Sequence, residues 1–153
     1  MTDVKDVGKE FKISLPREYA AYRADGGYLS TGSAITDTLD EPFKLYFLSE
    51  KKMDAPKLAL SASKVGLGGE LALDLSCLVQ GGIYRLEIMR PDGRPDRLAT
   101  KVLALDGKKK TEPVRFAFNA EAGTYTLKLT DVRTGLSSEE DVKVGSKRGW
   151  SLF

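Results

Sequence analysis

The chain of 153 residues contains no histidine and a single cysteine, Cys77. Histidine is the commonest general base and the commonest metal ligand in proteins, so its absence removes every Ser-His and Cys-His nucleophile pair. One cysteine excludes an internal disulfide, and the alternating run Leu71–Cys77 predicts a buried, inert thiol. We therefore expect no catalytic residues, no cofactor and no enzymatic activity.

Long apolar stretches are absent too, and the charge is nearly balanced. No segment approaches the ~20 apolar residues that a membrane span needs, and Met1–Asp6 lacks the apolar core of a signal peptide. We expect no membrane span. The chain is either cytoplasmic or a piece of a longer polypeptide whose targeting signal lies elsewhere. The formal net charge of +2 offers no argument for a nucleic-acid partner.

The dominant pattern is that of β-strands. Apart from one short candidate helix, Pro16–Tyr22, apolar and polar residues alternate in short runs, with turn residues about every 8–12 positions. This pattern predicts an all-β chain: an immunoglobulin-like β-sandwich of about seven strands, preceded by a small antiparallel β-unit. Alternation within the expected sandwich strands assigns these side chains to the core: Leu73, Leu75, Leu86, Ile88, Phe116, Phe118, Tyr125, Leu127 and Leu129.

Composition divides the chain into three parts. Residues 1–50 form the small β-unit, residues 55–146 the sandwich and residues 147–153 a tail, with the polar segment Ser49–Pro56 as the linker. A unit of that size buries too little apolar area to be robust alone, so it must pack on the sandwich, on a missing parent domain or on a second copy as a homodimer. The strands predicted in it are Phe11–Leu15, Tyr19–Arg23, Tyr28–Thr31, Ala34–Leu39 and Phe43–Leu48.

Charged residues provide few candidates for chemistry. Asp37 with Asp40, and Asp92 with Asp96, fall in expected turns or on polar strand faces. We expect them to be solvated carboxylates rather than a catalytic pair or calcium ligands. The basic run Lys108–Lys110 follows an Asp-Gly pair and predicts a solvated hairpin tip rather than a phosphate contact.

Tyrosines supply the one surface that the sequence suggests. Tyr19, Tyr22 and Tyr28 cluster in the first third of the chain, and aromatic faces stack on sugar rings and protein surfaces. Two interpretations stay open: a carbohydrate or interface contact, or packing in the core and at the sheet edge. Tyr125 follows a turn at the start of the penultimate strand, which predicts a tyrosine corner.

Two groups of segments are similar to regions of known proteins: Phe11–Pro16, Ala21–Ser30, Ile35–Leu39 and Pro42–Leu48 in the first part, and Tyr84–Gly93 and Ala122–Gly135 in the second. The first group resembles the closing β-domain of large bacterial secreted glycoside hydrolases of the β-galactosidase type. The second group resembles the immunoglobulin-like or fibronectin-like module that often follows that domain.

The resemblance implies a non-catalytic accessory or structural module at the C-terminal end of a secreted carbohydrate-processing protein. Such a module would lie outside the cell or in the periplasm as part of a longer chain, and none of the family's catalytic carboxylates can be transferred to it. Its partners would be the rest of the parent polypeptide or a surface protein, and carbohydrate. The alternative is a free-standing extracellular immunoglobulin-like adhesin or surface interaction protein.

Overall fold

The computed structural model describes residues 8–24, 26–77, 81–107 and 109–145. These residues form eleven β-strands joined by turns and loops, which confirms the predicted all-β class. The described part of the chain has no helix that is long and apolar enough to cross a membrane. The predicted tail, with Trp150, lies outside the described residues. The strands are β1 (Lys9–Arg23), β2 (Gly27–Leu39), β3 (Tyr46–Ser49), β4 (Lys57–Leu60), β5 (Lys64–Gly66), β6 (Glu70–Ser76), β7 (Gly82–Met89), β8 (Lys101–Leu105), β9 (Lys110–Arg115), β10 (Gly123–Asp131) and β11 (Ser137–Gly145).

The chain forms two compact units. One comprises the residues up to Asp54 together with Arg133–Leu136, and the other comprises Ala55–Val132 and the residues from Ser137 on. The first unit is therefore not continuous in sequence, because the turn between β10 and β11 belongs to it. Whether either unit folds by itself stays a prediction.

The first unit is a three-stranded antiparallel sheet in the order β2-β1-β3. The four short strands predicted before Asp40 are wrong, because they merge into one long hairpin of 15 and 13 residues. Pro16 does not interrupt β1, since it lies where the register shifts between Ser14 and Tyr19. A proline within such an irregularity does not need to donate a ladder hydrogen bond. The candidate helix Pro16–Tyr22 is likewise strand.

Backbone packing holds the β10–β11 turn within the first unit. Gly135 has φ +69°, and a Cβ added there would lie 2.9 Å from the amide nitrogen of Gly27 and 3.0 Å from the carbonyl oxygen of Ala24. Only glycine permits both this left-handed conformation and this close approach. The guanidinium carbon of Arg133 lies 5.3 Å from the centre of the Phe47 ring. The turn residues Arg133–Leu136 therefore belong to a unit whose three strands all lie much earlier in the sequence.

The second unit consists of two sheets. A five-stranded sheet has the order β5-β11-β10-β7-β8, and a three-stranded sheet has the order β4-β6-β9. All pairings are antiparallel except that of β5 with β11, which is parallel. The two sheets are consistent with the predicted β-sandwich. Strand β5 has only three residues.

The predicted core is confirmed with one exception. Leu73 and Leu75 on one sheet, and Leu86, Leu127 and Leu129 on the other, belong to one buried cluster and are completely or almost completely shielded from solvent. Strict alternation explains this burial, because every second side chain of a strand points to the same face. The two inner faces thus make a single hydrophobic core.

Phe118 is the exception, because it is 84% exposed. Strand β9 ends at Arg115, and the backbone N–H of Ala120 donates to the carbonyl of Ala117 at 3.1 Å, which closes a turn. The alternation that buries Val114 and Phe116 therefore does not extend to Phe118. Its ring lies instead against the backbone of Gly68, where an added Cβ would come within 2.2 Å of the ring.

The expected hairpin around Lys108–Lys110 is also wrong. Strand β8 pairs with β7 in the five-stranded sheet, and β9 pairs with β6 in the three-stranded sheet. The chain therefore passes from one sheet to the other between β8 and β9, and Lys108 itself lies outside the described residues. Strand spacing and turn residues alone do not distinguish such a crossover from a hairpin.

Candidate functional site

The three candidate tyrosines do not form one surface. Tyr22 and Tyr28 oppose each other across β1 and β2, with their rings edge-to-face at 5.6 Å. Tyr22 is fully buried, and its hydroxyl accepts a hydrogen bond from the backbone N–H of Met53. Tyr22 therefore belongs to the core of the first unit and has no face available to a ligand.

Tyr19 and Tyr28 remain accessible to solvent. Tyr19 is the less exposed of the two. Its hydroxyl accepts a 2.8 Å hydrogen bond from Nε of Arg17. The Tyr28 hydroxyl lies 2.9 Å from the Thr31 hydroxyl, and the Lys52 ammonium lies 4.3 Å from the centre of its ring. A contact through Tyr19 or Tyr28 stays a prediction.

Asp37 is not the solvated carboxylate that the sequence led us to expect, because its side chain is only 10% exposed. It accepts hydrogen bonds from the Tyr46 hydroxyl and the Thr38 backbone N–H, both at 2.8 Å. The Lys44 ammonium lies 3.2 Å from it and the Arg23 guanidinium 3.4 Å. The Lys44 side chain is itself buried and also pairs with Asp40 at 2.6 Å.

This cluster holds Asp37 ionised. Burial by itself raises the pKa of the carboxyl, but the hydrogen bonds from Tyr46, Thr38 and Lys44 together outweigh it and lower the pKa to about 2. Burial and the neighbouring carboxylate raise the pKa of Tyr46 to about 12. Neither group exchanges a proton near neutral pH, so the cluster is suited to fixing the chain that follows β2 rather than to acid–base chemistry.

A cleft of about 980 Å³ lies in the second unit. It is lined by residues of β8 and β9, each of which is an edge strand of its sheet. Its floor consists of buried core residues, and two of them, Phe116 and Tyr125, meet edge-to-face at 5.2 Å. The other floor residues are Ile88 and Val114.

A tyrosine corner shapes one wall of the cleft. The hydroxyl of Tyr125 donates to the backbone carbonyl of Glu121 at 3.0 Å, as predicted. Burial raises the pKa of this phenol, so the hydroxyl keeps its proton and remains a donor. The bond holds the segment before β10 against the sandwich and places Asn119 and Glu121 at the rim.

A turn built around Asp96 forms the opposite wall. Its carboxylate accepts from the backbone N–H of Leu98 at 3.2 Å, and its carbonyl accepts from the N–H of Ala99 at 3.1 Å. This turn delays β8 until Lys101 and leaves Leu98 98% exposed at the rim. Lys101 Nζ reaches across to the carbonyl of Pro113 at 3.4 Å.

A smaller pocket of about 350 Å³ adjoins the cleft and shares Arg90, Asp96 and Leu98 with it. It is formed by the loop after β7, in which the N–H of Arg90 donates to the carbonyl of Arg94 at 2.8 Å. Its prolines lack the backbone N–H that a central strand needs, which is consistent with a loop here. The loop comes close to β9 through pairings between strands that are far apart in the sequence. Local sequence patterns do not reveal such pairings.

No family model matches the chain, and no curated protein matches it. Among solved structures, the chain is similar to a β-glucosidase from Listeria innocua, crystallised in complex with gluconolactone, with 18% sequence identity and a TM-score of 0.40. The match covers 72% of this chain and 18% of the β-glucosidase, so the chain spans less than a fifth of that protein.

Proposed function

We propose that this chain is a non-catalytic accessory module of a secreted carbohydrate-processing protein, and that it holds saccharide in the cleft beside β8 and β9. The observation that carries the proposal is the composition of that cleft. An apolar floor meets a rim of side chains that form hydrogen bonds, as in small-molecule sites generally.

Saccharides need both of these features. The C–H face of a sugar ring packs on apolar and aromatic surface, which Leu98 and the floor of the cleft offer. Its hydroxyls exchange hydrogen bonds with carboxylates, amides and cations, which Asn119, Glu121 and Lys101 supply at the rim. Since the tyrosine corner and the Asp96 turn fix both walls, little ordering entropy would be lost on binding.

Calorimetric titration with neutral gluco-, galacto- and xylo-oligosaccharides and with galacturonate oligosaccharides tests the proposal. We expect at least one of them to bind, and Lys101→Ala to weaken that binding roughly tenfold, because a hydrogen bond to a charged group is lost. Lys143→Ala is the matched control, since this exposed lysine lies on β11 and does not line the cleft.

Two results would count against the proposal. The first is the absence of binding by any of these oligosaccharides, or an equal loss in both lysine variants. The second is turnover of a chromogenic glycoside that disappears on replacing one acid, such as Asp37→Asn, because a non-catalytic module should leave such substrates intact.

The loop before β3 favours a further contact, with the rest of a parent polypeptide. Phe43 is 78% and Leu45 70% exposed, although both are large and apolar. Between them, Lys44 is anchored in the Asp37 cluster, which directs its two neighbours outward. Apolar groups held at the surface in this way are typical of contact sites.

In the isolated chain the side chains of Phe43 and Leu45 are exposed to solvent. We therefore expect reversible self-association, measured by sedimentation velocity at increasing protein concentration. Phe43→Ser combined with Leu45→Ser should keep the chain monomeric. Val102→Ser is the control, because Val102 is equally exposed but lies on β8 in the second unit. A wild-type chain that stays monomeric throughout, or a double variant that still associates, would show that this loop is not a contact site.

A further inference from the structure

The lining of the cleft and its adjoining pocket is rich in positive charge. Five basic side chains line them, against two acidic ones. The whole chain has a net charge of only +2, so the excess of basic groups is concentrated at this edge of the sandwich. The basic residues are Arg90, Arg94, Arg97, Lys101 and Arg115, and the acidic ones are Asp96 and Glu121.

We propose that the saccharide held in this cleft is an acidic one, whose carboxylate or sulfate group is bound by arginines of the loop after β7 and by Lys101. This inference rests on the proposed function and names the class of ligand that the same site takes. Arginine offers a planar fork of donors that matches the two oxygens of a carboxylate or sulfate.

Several of these cations keep donors available for a ligand. Arg90 lies 3.4 Å from Asp96, and Arg94 lies 3.8 Å from Asp92, whereas charge-assisted hydrogen bonds are typically about 2.7–2.9 Å. Within the described residues, neither Arg97 nor Lys101 forms an ion pair with a carboxylate, and Lys101 makes only its long bond to a backbone carbonyl. Arg115 differs, since it pairs closely with Glu70.

The loop that carries three of the arginines is fixed by its backbone. Gly93 has φ +78° and donates to the carbonyl of Arg90 at 2.9 Å, which makes a tight turn. The N–H of Asp96 then donates to the carbonyl of Ile88 at 2.7 Å and joins the loop to β7. Cations held on such a frame are arranged before binding, which reduces the ordering that a ligand must bring about.

The position of these cations favours a saccharide over a small anion. They border a cleft whose floor includes Phe116 and Tyr125, and that apolar area would add nothing to the binding of inorganic phosphate or sulfate. A sugar ring that carries an acidic group uses both parts: the ring covers the floor, and the acid meets the cations. Excluding water from the floor also strengthens the attraction at its border.

The experiment compares tri-galacturonate with its methyl ester, which has the same rings and no charge, by calorimetric titration of the full chain. We expect the acid to bind roughly tenfold more tightly or better, and the difference to shrink as salt is added. Arg90→Gln combined with Arg97→Gln should remove the difference. Arg85→Gln is the matched control, because Arg85 is an exposed arginine of β7 that does not line the cleft.

The outcomes separate this inference from the function on which it rests. Equal affinity for acid and ester would overturn the acidic specificity and leave the saccharide site standing. If Arg85→Gln also removed the difference in affinity between the acid and the ester, the assignment of the arginines that bind the acid would be wrong. Binding of inorganic sulfate or of a single-stranded oligonucleotide as tight as that of the acid would likewise overturn the inference. If no saccharide of any charge bound, both proposals would fail together.

Discussion

Replacing Phe116 with alanine should lower the free energy of unfolding by about 3–5 kcal/mol, the usual cost of removing a buried aromatic side chain. Phe116 is almost completely buried in the sandwich core and packs edge-to-face on Tyr125. Its removal would take these contacts away from the core and would enlarge the floor of the adjoining cleft. Urea denaturation of the wild type and the variant measures the difference.

Phe118→Ala provides the comparison, because the same chemical change is made two residues away at an exposed position. We expect it to cost less than about 1 kcal/mol, as for most surface substitutions. A loss below about 1 kcal/mol in Phe116→Ala, or equal losses in both variants, would show that the assignment of strand faces around β9 is wrong.

Protonation of Asp37 alone should lower the free energy of unfolding by about 2 kcal/mol. Its pKa falls from 3.8 in the unfolded chain to about 2 in the folded protein, and each unit of difference corresponds to about 1.4 kcal/mol. Because the folded pKa is the lower one, the stabilisation is fully present above about pH 4 and is lost as the pH falls to about 2. Unfolding by urea at a series of pH values in this range would reveal it.

Asp37→Asn should flatten that pH dependence, since an amide does not titrate, and should also destabilise the protein at neutral pH by leaving the buried Lys44 with one carboxylate instead of two. Asp40→Asn is the matched control, because Asp40 is largely exposed and should leave most of the slope in place. If the free energy of unfolding of Asp37→Asn depended on pH as steeply as that of the wild type, other carboxylates would dominate acid unfolding.

Local patterns were sufficient to predict the sandwich. The alternation of apolar and polar residues identified the buried faces of β6, β7 and β10. In a strand with one solvent-exposed face, every second side chain points to the core. A tyrosine placed just after a turn predicted the bond from Tyr125 to Glu121. Both signals arise within a few neighbouring residues, which is why they can be recognised without the structure.

Features that depend on distant residues were not predicted. Pro16 lies within a long strand because a register shift with β2 accommodates it. Asp37 is buried because Lys44 and Tyr46 return to it from the following loop and strand. The cleft exists because β8 and β9 end up as edges of different sheets. Pro16 and the cleft depend on pairings between strands, and the burial of Asp37 depends on the path of the loop that follows it. Composition and spacing do not reveal either of these.

Whether saccharide binds in the cleft is tested most directly by an NMR titration of the ¹⁵N-labelled chain with the galacturonate trimer, which locates the bound saccharide residue by residue. We predict that the amide shifts concentrate on the cleft, at Ile88, Lys101, Asn119 and Glu121, with further shifts in the loop from Arg90 to Arg97. Shifts confined to the region of Tyr19 or Tyr28 would place the ligand on the first unit instead, and would contradict the proposal that saccharide binds in the cleft beside β8 and β9. No shifts at millimolar trimer would contradict it equally.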